Sequence, residues 1–126
     1  VIRHHILAVD DDPVILEIYA RAFDDTPYDV SVAADGTAAL ALARQDQPDI
    51  VLLDVQLPGL RGSELLPLIR QSCPDTSVIV VSGQTSVAEA RRFLADGAFD
   101  FLPKPFSLKH LLDVIENWRL SREFGC

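Results

Sequence analysis

The sequence predicts an α/β domain: a parallel five-stranded sheet with helices on both faces. Three features point there. Short runs at residues 6–9, 28–33, 50–53, 78–81 and 99–102 are apolar or β-branched-rich, and the third and fourth are apolar throughout, as in strands buried on both faces. Between these runs lie longer stretches with helical spacing, giving the order βαβαβαβαβα. At 126 residues the chain is long enough for one well-buried core and too short for two. Strand–helix units of this length favour right-handed crossovers, hence parallel neighbours.

The first strand ends abruptly in Asp10-Asp11-Asp12, and Pro13 is well placed as the first residue of a helix capped by Asp12. Ile15, Ile18, Tyr19 and Ala22 recur at helical spacing before Asp24-Asp25-Thr26-Pro27 stops them. After the weakly alternating run 28–33, Asp35-Gly36 opens an Ala/Leu-rich helix running to about Gln45 and halted before Pro48. The third strand gives way to Asp54 and to the turn signal Leu57-Pro58-Gly59. A third helix with Leu65, Leu68 and Ile69 on one face follows, and Pro67 predicts that it starts late or irregularly. Val87, Ala90 and Leu94 mark a fourth helix closed by Asp96-Gly97. Leu108, Leu111, Leu112 and Ile115 mark a fifth that continues past Trp118 toward Arg122.

Hydrophobic residues make up 48% and charged residues 24%, an ordinary globular balance. No apolar run approaches the roughly 20 residues needed to span a bilayer, and residues 1–9 do not read as a signal peptide. A net charge of −8 argues against direct nucleic-acid binding by this segment, since phosphate contacts need cations. Cys73 and Cys126 form neither a Cys-x-x-Cys motif nor a disulfide framework, so the expected setting is reduced and cytoplasmic, with Cys73 at a helix end and Cys126 a tail thiol. The first residue is not Met, which fits a domain excised from something longer.

In a parallel sheet, the carboxyl ends of the strands share one edge, where ligands collect. Asp10, Asp11 and Asp12 follow strand one, Asp54 strand three, Ser82 strand four and Lys104 strand five. Each residue has an ordinary role: Asp12 as a helix cap, Ser82 as a turn residue, Lys104 as a solvated charge. Four strand ends each carrying the type needed point to one site. Clustered carboxylates repel unless a cation sits among them, and Mg²⁺ takes hard oxygen ligands. With Lys104 as a mobile point charge and Ser82 as a hydroxyl donor, the set is equipped for in-line phosphoryl transfer onto Asp54.

These segments resemble the receiver domain of two-component response regulators. Ile6-Leu7-Ala8-Val9-Asp10-Asp11-Asp12-Pro13 looks like that family's acidic opening, and Asp49-Ile50-Val51-Leu52-Leu53-Asp54-Val55-Gln56-Leu57-Pro58-Gly59 like its phosphoacceptor segment. Val80-Val81-Ser82-Gly83 and Gly97-Ala98-Phe99-Asp100-Phe101-Leu102-Pro103-Lys104-Pro105-Phe106 match the later two. The resemblance implies a flavodoxin-like (βα)5 three-layer sandwich with strand order 2-1-3-4-5, occupying 1–120, with 121–126 a tail or the start of a linker to an output domain. It implies that Asp54 accepts a phosphoryl group from a sensor histidine kinase or phosphotransfer protein. Asp11, Asp54 and the main-chain carbonyl of Gln56 would hold Mg²⁺, with Asp10 assisting through water. Ser82 and Lys104 would contact the phosphoryl group, Phe101 would repack as the switch aromatic, and Lys104-Pro105 would be cis.

The wording around Phe99-Asp100-Phe101 is closest to receivers of sigma-54-dependent transcriptional activators. The surface of the fourth helix, fifth strand and fifth helix would change for a partner. Arg91, Arg92, Asp100 and Asp113 there fit either pairing across a homodimer or solvated charges. Two rivals stand beside the switch. A Mg²⁺-dependent phosphohydrolase with an Asp nucleophile wants a second acid two residues on, where Gln56 stands. A phosphorylation-independent interaction module has no need of the full Asp10, Asp11, Asp54, Ser82 and Lys104 set.

Overall fold

The computed structural model describes residues 2–57 and 59–124. The strands are β1 (His4–Val9), β2 (Tyr28–Ala33), β3 (Ile50–Asp54), β4 (Ser77–Ser82) and β5 (Asp100–Pro103). The helices are α1 (Pro13–Ala22), α2 (Gly36–Asp46), α3 (Gly62–Ser72), α4 (Val87–Ala95) and α5 (Leu108–Glu123). All neighbouring strands are parallel, in the order β2-β1-β3-β4-β5. Among the described residues no helix is long and apolar enough to cross a membrane.

Strand alternation divides the core into two layers. Leu7, Val9, Val51, Leu53, Val78 and Val80 point to one face, where Ala39 and Ala43 of α2 and Leu65, Leu66 and Ile69 of α3 cover them. Ile6, Ala8, Ile50, Leu52, Ile79 and Val81 point to the other, under Tyr19 of α1 and Leu111, Val114, Ile115 and Trp118 of α5. The small side chains of Ala39 and Ala43, both fully buried, let α2 lie close to the sheet.

Four helices start on side-chain caps. Asp12 accepts from the Val14 amide at 2.9 Å, Asp35 from Ala38 at 2.8 Å, Ser86 from Glu89 at 3.1 Å and Ser107 from His110 at 3.0 Å. Cys73 ends α3 as expected; its buried thiol donates to the Ala43 carbonyl at 3.3 Å. The expectations for Cys126 and for Pro58 fall outside the described residues.

The helix faces depart from the sequence reading in four places. Ile18 is 44% exposed, and the inner face of α1 is Ile15, Leu16 and Tyr19. On α3 the buried partner of Leu65 and Ile69 is Leu66; Leu68 is half-buried. Val87 and Leu94 lie in solvent, and α4 buries none of its residues fully. Leu108 and Leu112 also face outward, while Val114 and Trp118 take the core side of α5. Apolar spacing fixes a period, not which side of a half-covered helix meets the sheet.

Pro67 does not delay α3, which begins at Gly62 with the Leu65 amide already bonded to the Arg61 carbonyl at 2.8 Å. Its ring removes the donor for the Ser63 carbonyl four residues earlier. Both Pro67 and Ser63 are exposed, so water can serve that carbonyl, and the helix continues. Pro67→Ala should therefore stabilise the fold by about 1–3 kcal/mol in urea unfolding; an unchanged or lower midpoint would contradict the account.

Candidate functional site

The β1–β3 register pairs Val9 with Leu53, so the next residue of each strand, Asp10 and Asp54, lies at the same edge. Asp54 is the last residue of β3, paired with Val81, and Ser82 closes β4 opposite Pro103. Lys104 comes directly after β5, before a cis peptide bond to Pro105. Strands about 4.8 Å apart thus bring four polar residues to one edge of the sheet.

The contacts are specific. Lys104 Nζ lies 2.6 Å from Asp10 Oδ2 and 3.3 Å from Asp54 Oδ2. The remaining oxygen of Asp10 accepts from the Asp12 amide at 2.9 Å, and that of Asp54 from the Gln56 amide at 3.0 Å. Asp10 and Asp54 are buried, at 1% and 4% exposure, whereas Asp11 is open to solvent. One oxygen from each of Asp10, Asp11 and Asp54 falls within 4.8 Å of the others. Asp12 is the α1 cap and stands outside this group.

Three carboxylates cluster where one ammonium pairs with only two of them, Asp10 and Asp54, and the balance is incomplete. Burial pushes the Asp54 carboxyl above the usual carboxylate range; the Gln56 amide and Lys104 pull it back, and the Asp10 charge adds to the rise. Burial works to lower Lys104, yet its hydrogen bond to Asp10 and the charges of Asp54 and Asp10 hold it above its ordinary value. Beneath them the Tyr19 phenol is pushed strongly upward, by burial and by the charges of Asp10 and Asp54. Hard oxygen donors with a surplus of negative charge and an exposed member fit Mg²⁺ well.

The loop after Asp54 is seated by close packing. A Cβ on Gly62 would meet the Val55 Cα at 2.5 Å, and one on Gly36 would meet the Leu60 Cβ at 2.7 Å. Leu57 is buried at 6% exposure and anchors the same loop. These contacts hold Gln56, exposed at the rim, next to the carboxylates.

Ser82 is 2% exposed. Its carbonyl accepts from the Lys104 amide at 2.9 Å and its hydroxyl from Thr85 Oγ1 at 2.6 Å. Phe101 is half-buried and, like Phe93, packs against the core layer under α2 and α3. Asp100 accepts from the Phe101 amide at 2.7 Å, and Asp113 pairs with Lys109 on its own helix at 2.8 Å. Arg91 and Arg92 are exposed on α4, and Arg92 lines a cleft with Gln56, Gln84 and Thr85. Thr85, Gly36 and Gly62 were absent from the sequence-derived site. A hydroxyl just before a helix cap, and glycines at two helix starts, were the available signals.

The model of the response regulator receiver domain family matches residues 6–116. Response regulator MprA of Mycobacterium leprae (strain TN) is 41% identical over 107 residues, covering 85% of this chain and 47% of that protein. The chain thus spans about half the length of the curated relatives it matches. A CheY-like response regulator receiver domain protein from Methanospirillum hungatei JF-1 superposes with a TM-score of 0.91 at 29% identity, over 98% of this chain and 99% of that one. NtrX from Brucella abortus gives 0.86 at 32% identity, over 98% of this chain and 30% of its own.

A folded-state carboxyl held above its unfolded value contributes stability below the unfolded pKa and loses it as pH rises through the folded pKa. Asp54→Asn lacks that loss. Its stability advantage over the unsubstituted protein without divalent cations should therefore appear as pH rises through and above the carboxylate range, and vanish at lower pH. Adding Mg²⁺ at about ten times its dissociation constant should stabilise the unsubstituted protein by about 1.4 kcal/mol and leave Asp54→Asn nearly unmoved in thermal melts. Equal Mg²⁺ responses would contradict the assigned site.

Proposed function

This chain belongs to the response regulator receiver domain family, and on that footing we propose that it is phosphorylated on Asp54 by a sensor histidine kinase or phosphotransfer protein. Receivers of this kind are the switches of two-component phosphorelays. The observation that carries the assignment is the Lys104 ammonium seated between Asp10 and Asp54, at 2.6 and 3.3 Å, beside Asp11.

The chemistry follows from the groups present. An Asp54 oxygen attacks phosphorus in line, and the bond from phosphorus to the donor nitrogen breaks, leaving the electron pair with the donor. Asp11, Asp54 and the main-chain carbonyl of Gln56 would hold Mg²⁺, with Asp10 assisting through water. The ion, when bound, supplies charge neutralisation between the carboxylates and the phosphoryl oxygens. Lys104 is already at the mouth and can exchange part of its carboxylate pairing for a phosphoryl oxygen, while Ser82 donates to another. An apolar crevice opens beside the site between Ile18 of α1 and Pro105, Phe106 and Leu108, with Lys104 in its wall. That crevice suits the apolar face of a phosphodonor helix.

Movement of Ser82 and Lys104 toward the phosphoryl group leads Phe101 to repack, and the surface of α4, β5 and α5 changes. The shallow seating of α4, with no fully buried residue, supports this: the helix has little packing to lose on moving. The altered face controls a homodimer, with Arg91, Arg92, Asp100 and Asp113 as candidate contacts, or an output domain. Transcription regulation is the output that the sigma-54-type resemblance favours. The receiver body lies within 1–120, and 121–126 is a C-terminal tail or the start of a linker to an output domain. The domain works in the cytoplasm and is not an enzyme beyond taking up and slowly losing its own phosphoryl group.

With acetyl phosphate and Mg²⁺, intact-mass analysis should show the addition of one phosphoryl group, absent in Asp54→Ala and strongly reduced without Mg²⁺. An unchanged yield in Asp54→Ala would sink the assignment. Turnover of an added phosphomonoester would instead favour the hydrolase reading, which lacks a second acid at Gln56.

A further inference from the structure

We propose that Thr85 is a positioning residue for the phosphoryl group: its hydroxyl donates to Ser82 and thereby keeps the Ser82 proton available to a phosphoryl oxygen. The inference rests on the assignment of Asp54 as phosphoacceptor. Ser82 is buried at the end of β4, its carbonyl tied to the Lys104 amide at 2.9 Å. Among the described residues, the one hydrogen bond made by its hydroxyl is the one it accepts, from Thr85 Oγ1 at 2.6 Å.

A serine hydroxyl has a single proton and two acceptor lone pairs. With Thr85 as the donor, one lone pair of Ser82 is engaged and the Ser82 proton is left for another acceptor. In a site this enclosed, such a donor is complete only when an acceptor arrives. A phosphoryl group on the neighbouring strand end brings acceptor oxygens.

Thr85 is well held for this task. It is half-buried and β-branched, which restricts its χ1. The next residue, Ser86, caps α4 by accepting from the Glu89 amide at 3.1 Å, and its hydroxyl lies 3.2 Å from Glu89 Oε1. That side-chain cap fixes the chain immediately after Thr85. The donor to Ser82 therefore comes from a braced helix start.

The test compares beryllofluoride binding, in the presence of Mg²⁺, by calorimetry. Thr85→Val keeps the side-chain shape and removes the donor; Thr85→Ser keeps the donor. Thr85→Val should bind about fivefold more weakly, the effect of one neutral hydrogen bond. Thr85→Ser should stay near the unsubstituted protein, and affinity for Mg²⁺ alone should not change in either. In a Ser82→Ala background Thr85→Val should have no further effect, because Thr85 acts only through that hydroxyl. Undiminished binding by Thr85→Val, or an equal loss with and without Ser82, would overturn the proposal. Failure of the unsubstituted protein to bind beryllofluoride would instead remove the phosphoacceptor assignment beneath it.

Discussion

The structure turns on one charge arrangement: the Lys104 ammonium lying between two buried carboxylates, Asp10 and Asp54. Burying carboxylates side by side is unfavourable unless cations and hydrogen bonds compensate. Here the compensation comes from three separate segments: Lys104 after β5, the Asp12 amide and the Gln56 amide. Each stands where it does because five parallel strands end at one edge in a fixed register. The fully buried residues 50–53 of β3 make that register costly to shift, since a one-residue slip would exchange its two packed faces. The rigid core thus carries a site whose charge is left unbalanced, with Asp54 held above the normal carboxylate range.

That imbalance is what makes the edge responsive. A divalent cation would relieve the repulsion among Asp10, Asp11 and Asp54, and a phosphoryl group would give Lys104 and Ser82 a new acceptor. The part of the fold nearest Ser82 is also the least firmly packed. Helix α4 contributes only Ala90 and Phe93 as partly covered residues, whereas α5 buries Leu111, Val114, Ile115 and Trp118. Local stability is lowest where few apolar contacts would be lost, so a change at the strand ends finds its easiest outlet through α4. The hydroxyl of Thr85, between Ser82 and the capped start of that helix, lies on the same route.

Much of this was legible in the sequence because it depends on local signals. An aspartate closing an unbroken apolar run, a cap residue before Pro13, and a Lys-Pro pair after the fifth strand each have a meaning independent of tertiary detail. The strand order needed the family resemblance, since strand sequence alone leaves the order of a parallel sheet open, and the roles expected of Gln56 and Phe101 rest on that resemblance too. The outward turns of Ile18, Val87, Leu94, Leu108 and Leu112 could not be read, because each helix offers more apolar positions than its side of the sheet covers. Pro67 misled for a related reason: the lost hydrogen bond was foreseen, but not that the freed carbonyl would face water. The Gly62–Val55 and Gly36–Leu60 approaches and the Thr85–Ser82 bond are created by loop conformation and leave only faint traces in the chain.

The central claim is that the convergent strand ends make Asp54, and no other carboxylate of the cluster, the nucleophile. It is tested most directly by treating the phosphorylated protein with borohydride, which reduces an acyl phosphate to the corresponding alcohol, and locating the altered residue by peptide mass spectrometry. The account predicts reduction at position 54 alone, with Asp10 and Asp11 intact. Reduction at Asp10 or Asp11, or phosphorylated protein with no reduced carboxylate, would contradict it.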